Sequence, residues 1–94
     1  MHHLILKANA IQMAKDAYDW YEEQQIDLGE LFLASLNSCF KKIQLLPKAN
    51  SKIKKNYRQA RVRKFPYVVV YEIINTDIVV LSVFHTSRNP KNKY

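Results

Sequence analysis

No acidic residue occurs between Leu31 and Tyr71, although the chain carries eight acids in its 94 residues. Six of the eight lie between Asp16 and Glu30. The acid-free interval holds Lys41, Lys42, Lys48, Lys52, Lys54, Lys55, Arg58, Arg61, Arg63 and Lys64, and the formal net charge is +7. A block of this kind creates a positive field that draws in anionic partners and speeds their encounter. Other absences narrow the field further. Gly29 is the only glycine, so no glycine-rich phosphate loop can be built. Cys39 is the only cysteine, which excludes an intrachain disulfide and agrees with a reducing compartment. The longest apolar stretches, around Val68–Tyr71 and Ile78–Leu81, are far too short to span a bilayer. Met1-His2-His3-Leu4 lacks the basic segment and apolar run of a signal peptide. The expectation is a cytoplasmic protein without membrane contact.

A chain of this length forms one domain, expected over residues 1–94, with a single core and a small stability margin. Nearly half of the residues are apolar, which excludes disorder as an overall description. There is no internal repeat and no low-complexity linker.

Leu4-Ile5-Leu6 is a short apolar run, expected as the first strand. Asn9 is a candidate cap for the helix that follows. Ile11, Ala14, Tyr18 and Tyr21 recur at spacings of three and four, the signature of a buried helical stripe. Asp27 and Glu30 have capping-box spacing and mark a second helix start. Its stripe runs Leu28, Phe32, Leu36, Cys39, Ile43, Leu46, and Pro47 ends it. Two amphipathic helices joined so tightly read as a helical hairpin. Pro47–Asn56 is polar and lysine-rich, hence a loop. Beyond it the period changes to two: Arg61 and Arg63 alternate with Val62, Val68–Ile74 is β-branched and aromatic, Asn75-Thr76-Asp77 is a turn, and Ile78–Phe84 is the last strand, apolar enough to lie inside a sheet. The order β-α-α-β-β-β predicts an α+β fold: an antiparallel sheet of about four strands with the helical hairpin on one face.

Several residue types carry candidate chemistry. Alternation places Arg61 and Arg63 on one face, either as solvated guards of a strand edge or as ligands of a shared anionic partner. Lys52 and Lys54 extend the cationic surface. His85, with an unperturbed pKa of about 6.5, and Arg88 sit where the last strand runs out. Trp20, Tyr18 and Tyr21 are expected to pack against the sheet. His2, His3, Cys39 and His85 have no metal-ligand spacing, and nothing in the sequence calls for a metal or another cofactor.

At this point the chain resembles the RelE/ParE superfamily of bacterial type II toxins. The resemblance spans essentially the whole chain. It is carried by Ala14…Ala17-Tyr18-Asp19-Trp20-Tyr21, by Leu28-Gly29…Phe32, and by Arg61…Phe65-Pro66-Tyr67-Val68-Val69-Val70-Tyr71…Val83-Phe84-His85…Arg88-Asn89-Pro90. The last set is similar to the pattern of ParE-like, plasmid-stabilisation members. The resemblance implies a toxin held inactive in a hetero-oligomer with a cognate antitoxin protein. It leaves two targets: DNA gyrase, which ParE-like members poison, or mRNA in the ribosomal A site, which RelE-like members cut. A third alternative is an antitoxin-binding homologue without toxicity. If the chain is an enzyme, the resemblance implies a metal-independent endoribonuclease, with Arg61 and Arg88 holding phosphate and His85 as acid or base, on the sheet face opposite the helices. RelE-like nucleases carry an arginine about three residues before the third-strand tyrosine. Val68 stands there in this chain and offers no phosphate clamp. Lys52, Lys54, Arg61 and Arg63 are the expected contacts to nucleic acid or another target.

Overall fold

The computed structural model describes residues 2–87. Its elements are β1 His3–Leu6, α1 Ala8–Gln24, α2 Leu28–Leu45, β2 Lys52–Lys54, β3 Tyr57–Arg61, β4 Tyr67–Ile74 and β5 Asp77–His85. The β-branched and aromatic run of β4 and the apolar run of β5 pair as an antiparallel hairpin. Its two-residue turn, Asn75-Thr76, puts Asn75 in the left-handed region at φ 57°. The sheet order is β1-β5-β4-β3-β2. The expected α+β architecture is therefore present, with two additions. The lysine-rich segment expected as a loop contains β2, which makes five strands. The first strand lies parallel to β5, with Leu4 opposite Ile78 and Leu6 opposite Val80, so the sheet is mixed. The helical hairpin carries the chain from the β1 edge to the β2 edge, and that crossover permits the parallel pairing.

The core lies between the helices and one sheet face. Ala10, Ala17 and Tyr21 of α1 and Phe32, Leu36, Cys39, Phe40 and Ile43 of α2 pack on Ala60, Val62, Tyr67, Val69, Tyr71, Ile78, Val80 and Val83. The α1 stripe is shifted from the expected one: Ile11 is 54 % exposed, and Ala10 and Ala17 take the buried positions. At its centre is a knot of rings. Tyr21, Phe32, Phe65 and Tyr67 come from α1, α2, the β3–β4 loop and β4, with centroids 4.9 to 6.1 Å apart. Aromatic pairs at these separations add to simple area burial.

The helix termini differ from the sequence expectation in an instructive way. Asn9 does not cap α1. It lies inside the first turn and its amide donates to the Leu81 carbonyl at 3.4 Å. Asp27 does not cap α2 either: it adopts φ 70°, and its side chain makes no cap hydrogen bond. The cap comes from the preceding helix, where the Glu22 carboxylate accepts from the N–H groups of Asp27 (3.2 Å) and Gly29 (2.9 Å). The Glu30 carboxylate beside the Tyr18 hydroxyl pushes that phenol up to about 12. Gly29 is what lets the helices close together, because a Cβ there would lie 2.8 Å from the Tyr18 carbonyl oxygen and 2.9 Å from two of its ring atoms.

Past α2, the chain is tied back by Tyr71, whose hydroxyl donates to the Pro47 carbonyl at 2.6 Å and accepts from the Asn50 amide at 3.2 Å. The Arg58 guanidinium donates to the Lys48 and Asn50 carbonyls, so this cation serves the loop. Burial pushes the Tyr71 phenol above its ordinary value.

Two outcomes follow from these contacts. Gly29→Ala should destabilise the domain by about 1–3 kcal/mol in urea unfolding, because backbone rather than a flexible side-chain end meets the new methyl. Tyr71→Phe should lose about 1 kcal/mol at neutral pH. The folded state holds the Tyr71 proton more tightly than the unfolded chain. That contribution is complete below a pH of about 10 and is lost as pH rises through the elevated folded value. The stability gap between wild type and Tyr71→Phe should therefore narrow above pH ~10; a gap that stays constant to higher pH would refute the linkage.

Candidate functional site

A register shift in β5 decides which face each candidate residue reaches. Val70 is opposite Ser82 but Tyr71 is opposite Val80, so Leu81 is an extra residue in β5. A β-bulge of this kind reverses the side-chain phase beyond it. Ile78 and Val80 face the helices before the bulge, and Val83 does so after it. His85, opposite Tyr67, is thereby turned to the helix side. Its ring meets Tyr67 edge-on at 5.3 Å, and its Nδ1 accepts the Ser87 N–H at 3.1 Å. His85 lines a cavity of about 250 Å³ with Met13, Asp16, Ala17 and Trp20 of α1 and Tyr67, Val83 and Phe84 of the sheet.

Arg61 and Arg63 lie at the opposite side of the sheet, beyond β4. With Lys42, Ser35, Ser38, Cys39, Ile43, Asn50 and Ala60 they line a groove between α2 and β3, and Arg63 and Lys64 continue it along Ala34 and Ser35. Its lining contains no acid. Lys42, Arg61, Arg63 and Lys64 form no ion pair among the described residues. The groove runs beside a strand edge: β2 pairs with β3 only at Tyr57 and Arg58, which leaves Gln59–Arg61 without a strand partner on that side among the described residues. The cations are firmly placed. Val62 is buried and its N–H donates to the Tyr67 carbonyl at 3.0 Å, while Phe65 sits in the aromatic knot. Arg63 and Lys64 are held on the turn between these two anchors, with Lys64 at φ 70°.

The expected constellation thus divides. Arg61 and Arg63 come together, joined by Lys42, Ser35 and Ser38. His85 does not join them and lies in a separate cavity on the helix side, which corrects the expectation of one cationic face opposite the helices. Lys52 and Lys54 are exposed on β2 and line neither cavity. Arg88 lies outside the described residues. Arg61 pairs with Val68, whose side chain joins Val70 and Phe84 in a buried apolar cluster on the face away from the helices, with Tyr57, Leu81 and Met13 against it; Arg61 reaches the α2–β3 groove at the edge of β3. The α2 contribution was present in the sequence as Ser35, Ser38 and Lys42 at i, i+3 and i+7, a polar stripe directly beside the core stripe. Cys39 is no nucleophile here, since burial pushes its thiol up to about 11 and keeps it protonated. No three His, Cys, Asp or Glu side chains cluster among the described residues. No helix there is long and apolar enough to cross a membrane.

Comparison with known proteins gives these features a family. The sequence matches the family described as "ParE toxin of type II toxin-antitoxin system, parDE" over residues 4–90. The chain therefore belongs to the ParE toxin family of type II toxin–antitoxin systems. Its fold is similar to a chain of the chromosomal ParDE toxin–antitoxin system from P. aeruginosa, with a TM-score of 0.70, 14 % identity, and coverage of 93 % of this chain and 98 % of that one. It is also similar to the isolated E. coli RelE toxin, with a TM-score of 0.66, 19 % identity, and coverage of 96 % and 89 %. Comparison with curated protein sequences gives no match.

Four cations along one groove, with no ion pair among the described residues, repel each other and gain little for the fold. Arg63→Ala should leave stability unchanged or raise it by about 0.5 kcal/mol, measured by chemical denaturation at low salt. A loss of more than about 1 kcal/mol would mean that Arg63 supports the fold directly.

Proposed function

We propose that this ParE-family toxin acts in the cytoplasm by inhibiting DNA gyrase, and that a cognate antitoxin neutralises it in a hetero-oligomer. The observation that carries the target is the division of the cationic residues. Metal-free RNA cleavage needs a phosphate clamp and an acid–base group acting on one phosphodiester. The Leu81 bulge turns His85 toward α1, away from Arg61 and Arg63, and buried Val68 occupies the position where a nuclease arginine is expected. These features favour a toxin that binds its target over one that cuts RNA. The acid-free groove and the β3 edge beside it suit an anionic surface or an acidic extended segment, and Arg61, Arg63, Lys42 and Lys64 are its contacts. Lys52 and Lys54 lie on the adjoining β2 and extend the same positive field.

The test is induced expression of the chain alone and together with an antitoxin, followed by supercoiling and in vitro translation assays on purified protein. Gyrase supercoiling should be inhibited while mRNA on translating ribosomes stays intact. The double charge reversal Lys42→Glu with Arg63→Glu should weaken inhibition by more than about tenfold, roughly the effect of losing two charge-assisted contacts, without unfolding the protein. Cleavage in the A site, lost on Arg61→Ala or His85→Ala, would establish the ribosome-dependent endoribonuclease alternative. Absence of growth arrest with retained antitoxin binding would establish the non-toxic homologue.

A further inference from the structure

The α2–β3 groove has the shape of a track rather than of a closed pocket. Its two depressions, of about 90 and about 270 Å³, share Ser35, Ser38, Lys42 and Arg63 and so run into one another. One wall is α2, where Ala34, Ser38 and Lys42 are exposed at spacings of four and stand one above another. From Ala34 to Lys42 that wall is about 12 Å long, at about 1.5 Å per residue. The other wall carries Arg61, Arg63 and Lys64, all exposed. Cations therefore stand on both walls. The nearest acid on α2 is Glu30, one turn before Ala34, and its carboxylate is engaged by the Tyr18 hydroxyl. No aromatic side chain lines either depression.

We propose, building on the groove as the target-contact surface, that it binds the phosphate backbone of duplex DNA independently of base sequence. DNA held by gyrase presents that backbone. Lysine and arginine donors with two serine hydroxyls beside them suit phosphate oxygens, and contacts of this kind carry no sequence information. Spacing separates DNA from an acidic peptide. One strand of a duplex carries a phosphate every ~3.4 Å of axis, so a wall of about 12 Å meets three or four of them. An extended peptide turns only every second side chain to one face, about 7 Å apart, and meets the same wall with about two carboxylates. Lys42, Arg61, Arg63 and Lys64 match the higher density. The lack of aromatic rings separates duplex from single strand. Single strands are held by stacking their bases on such rings, whereas a duplex keeps its bases stacked inside and offers only its backbone.

The experiment follows the fluorescence anisotropy of a short fluorescein-labelled DNA duplex titrated with the purified full chain, without gyrase. Binding should be saturable at low salt and equal for two duplexes of unrelated sequence. Four neutralised phosphates give a slope of log K against log salt of about −3.6, a loss of roughly 150-fold between about 50 and 200 mM salt. Lys42→Gln with Arg63→Gln should flatten the slope by about 2 and weaken binding more than about tenfold at the lower salt. Both residues are exposed, so this variant should keep the wild-type circular dichroism. Lys52→Gln with Lys54→Gln removes the same charge from β2, outside the groove, and should change the slope by less than about 1. The proposal is overturned by no saturable binding to the duplex, by a sequence preference of more than about tenfold, by an equal loss in the β2 variant, or by tighter binding of the matching single strand or of a polyglutamate peptide of equal charge. Supercoiling is assayed separately. Inhibition by a chain that does not bind the duplex would remove the DNA site and leave gyrase inhibition standing; duplex binding without inhibition would keep the DNA site and remove gyrase as the target.

Discussion

The aromatic knot of Tyr21, Phe32, Phe65 and Tyr67 is the contact on which the rest of the structure depends. It joins both helices, the β3–β4 loop and the central hairpin. Through Phe65 it holds the turn that presents Arg63 and Lys64. Through Tyr67 it seats the His85 ring and so shapes the cavity under α1. The two surface sites share no residue, yet one cluster of rings places both. A small domain gains from such economy, since its core can stabilise few independent features.

Charge separates along the same division. The acids concentrate on α1 and at the start of α2, and the cations gather from the end of α2 through β3. Within α2 this arrangement also suits the helix itself, with Glu30 in the first turn and Lys42 in the last. The basic groove is different, because its four cations have no ion-pair partner among the described residues. Natural proteins retain such locally unfavourable clusters where binding requires them.

Much of the fold was legible because it depends on periodicity. The change from a helical period to a period of two, the turn at Asn75-Thr76 and the stop at Pro47 are local signals, and the local structure follows them. Contributions from distant chain were not legible. Glu22 caps α2 from the preceding helix, and this removes the role that the Asp27–Glu30 spacing offered. The Lys52–Lys54 strand forms because β3 lies beside it, against the prior set by its two lysines. The parallel pairing of β1 depends on a crossover that no short window contains. At the candidate site, Arg61 and Arg63 were found by alternation, and Lys42 was missed because its stripe lies on another element. His85 was assigned to the wrong face for one reason: a single extra residue, Leu81, reverses the parity of a strand, and an apolar run such as Ile78-Val79-Val80-Leu81 carries no mark of where that residue falls.

The segregation of charge has a consequence for how the molecule travels. A domain with its negative groups at one end and its positive groups at another has a permanent electric dipole moment. In the field of a polyanion it experiences a torque as well as an attraction. It therefore turns before it touches, arriving with the α2–β3 edge leading and α1 trailing, and fewer collisions are wasted on the wrong orientation. The trailing side then remains facing solvent after docking, and the acids of α1 stay away from the polyanion that the cations meet.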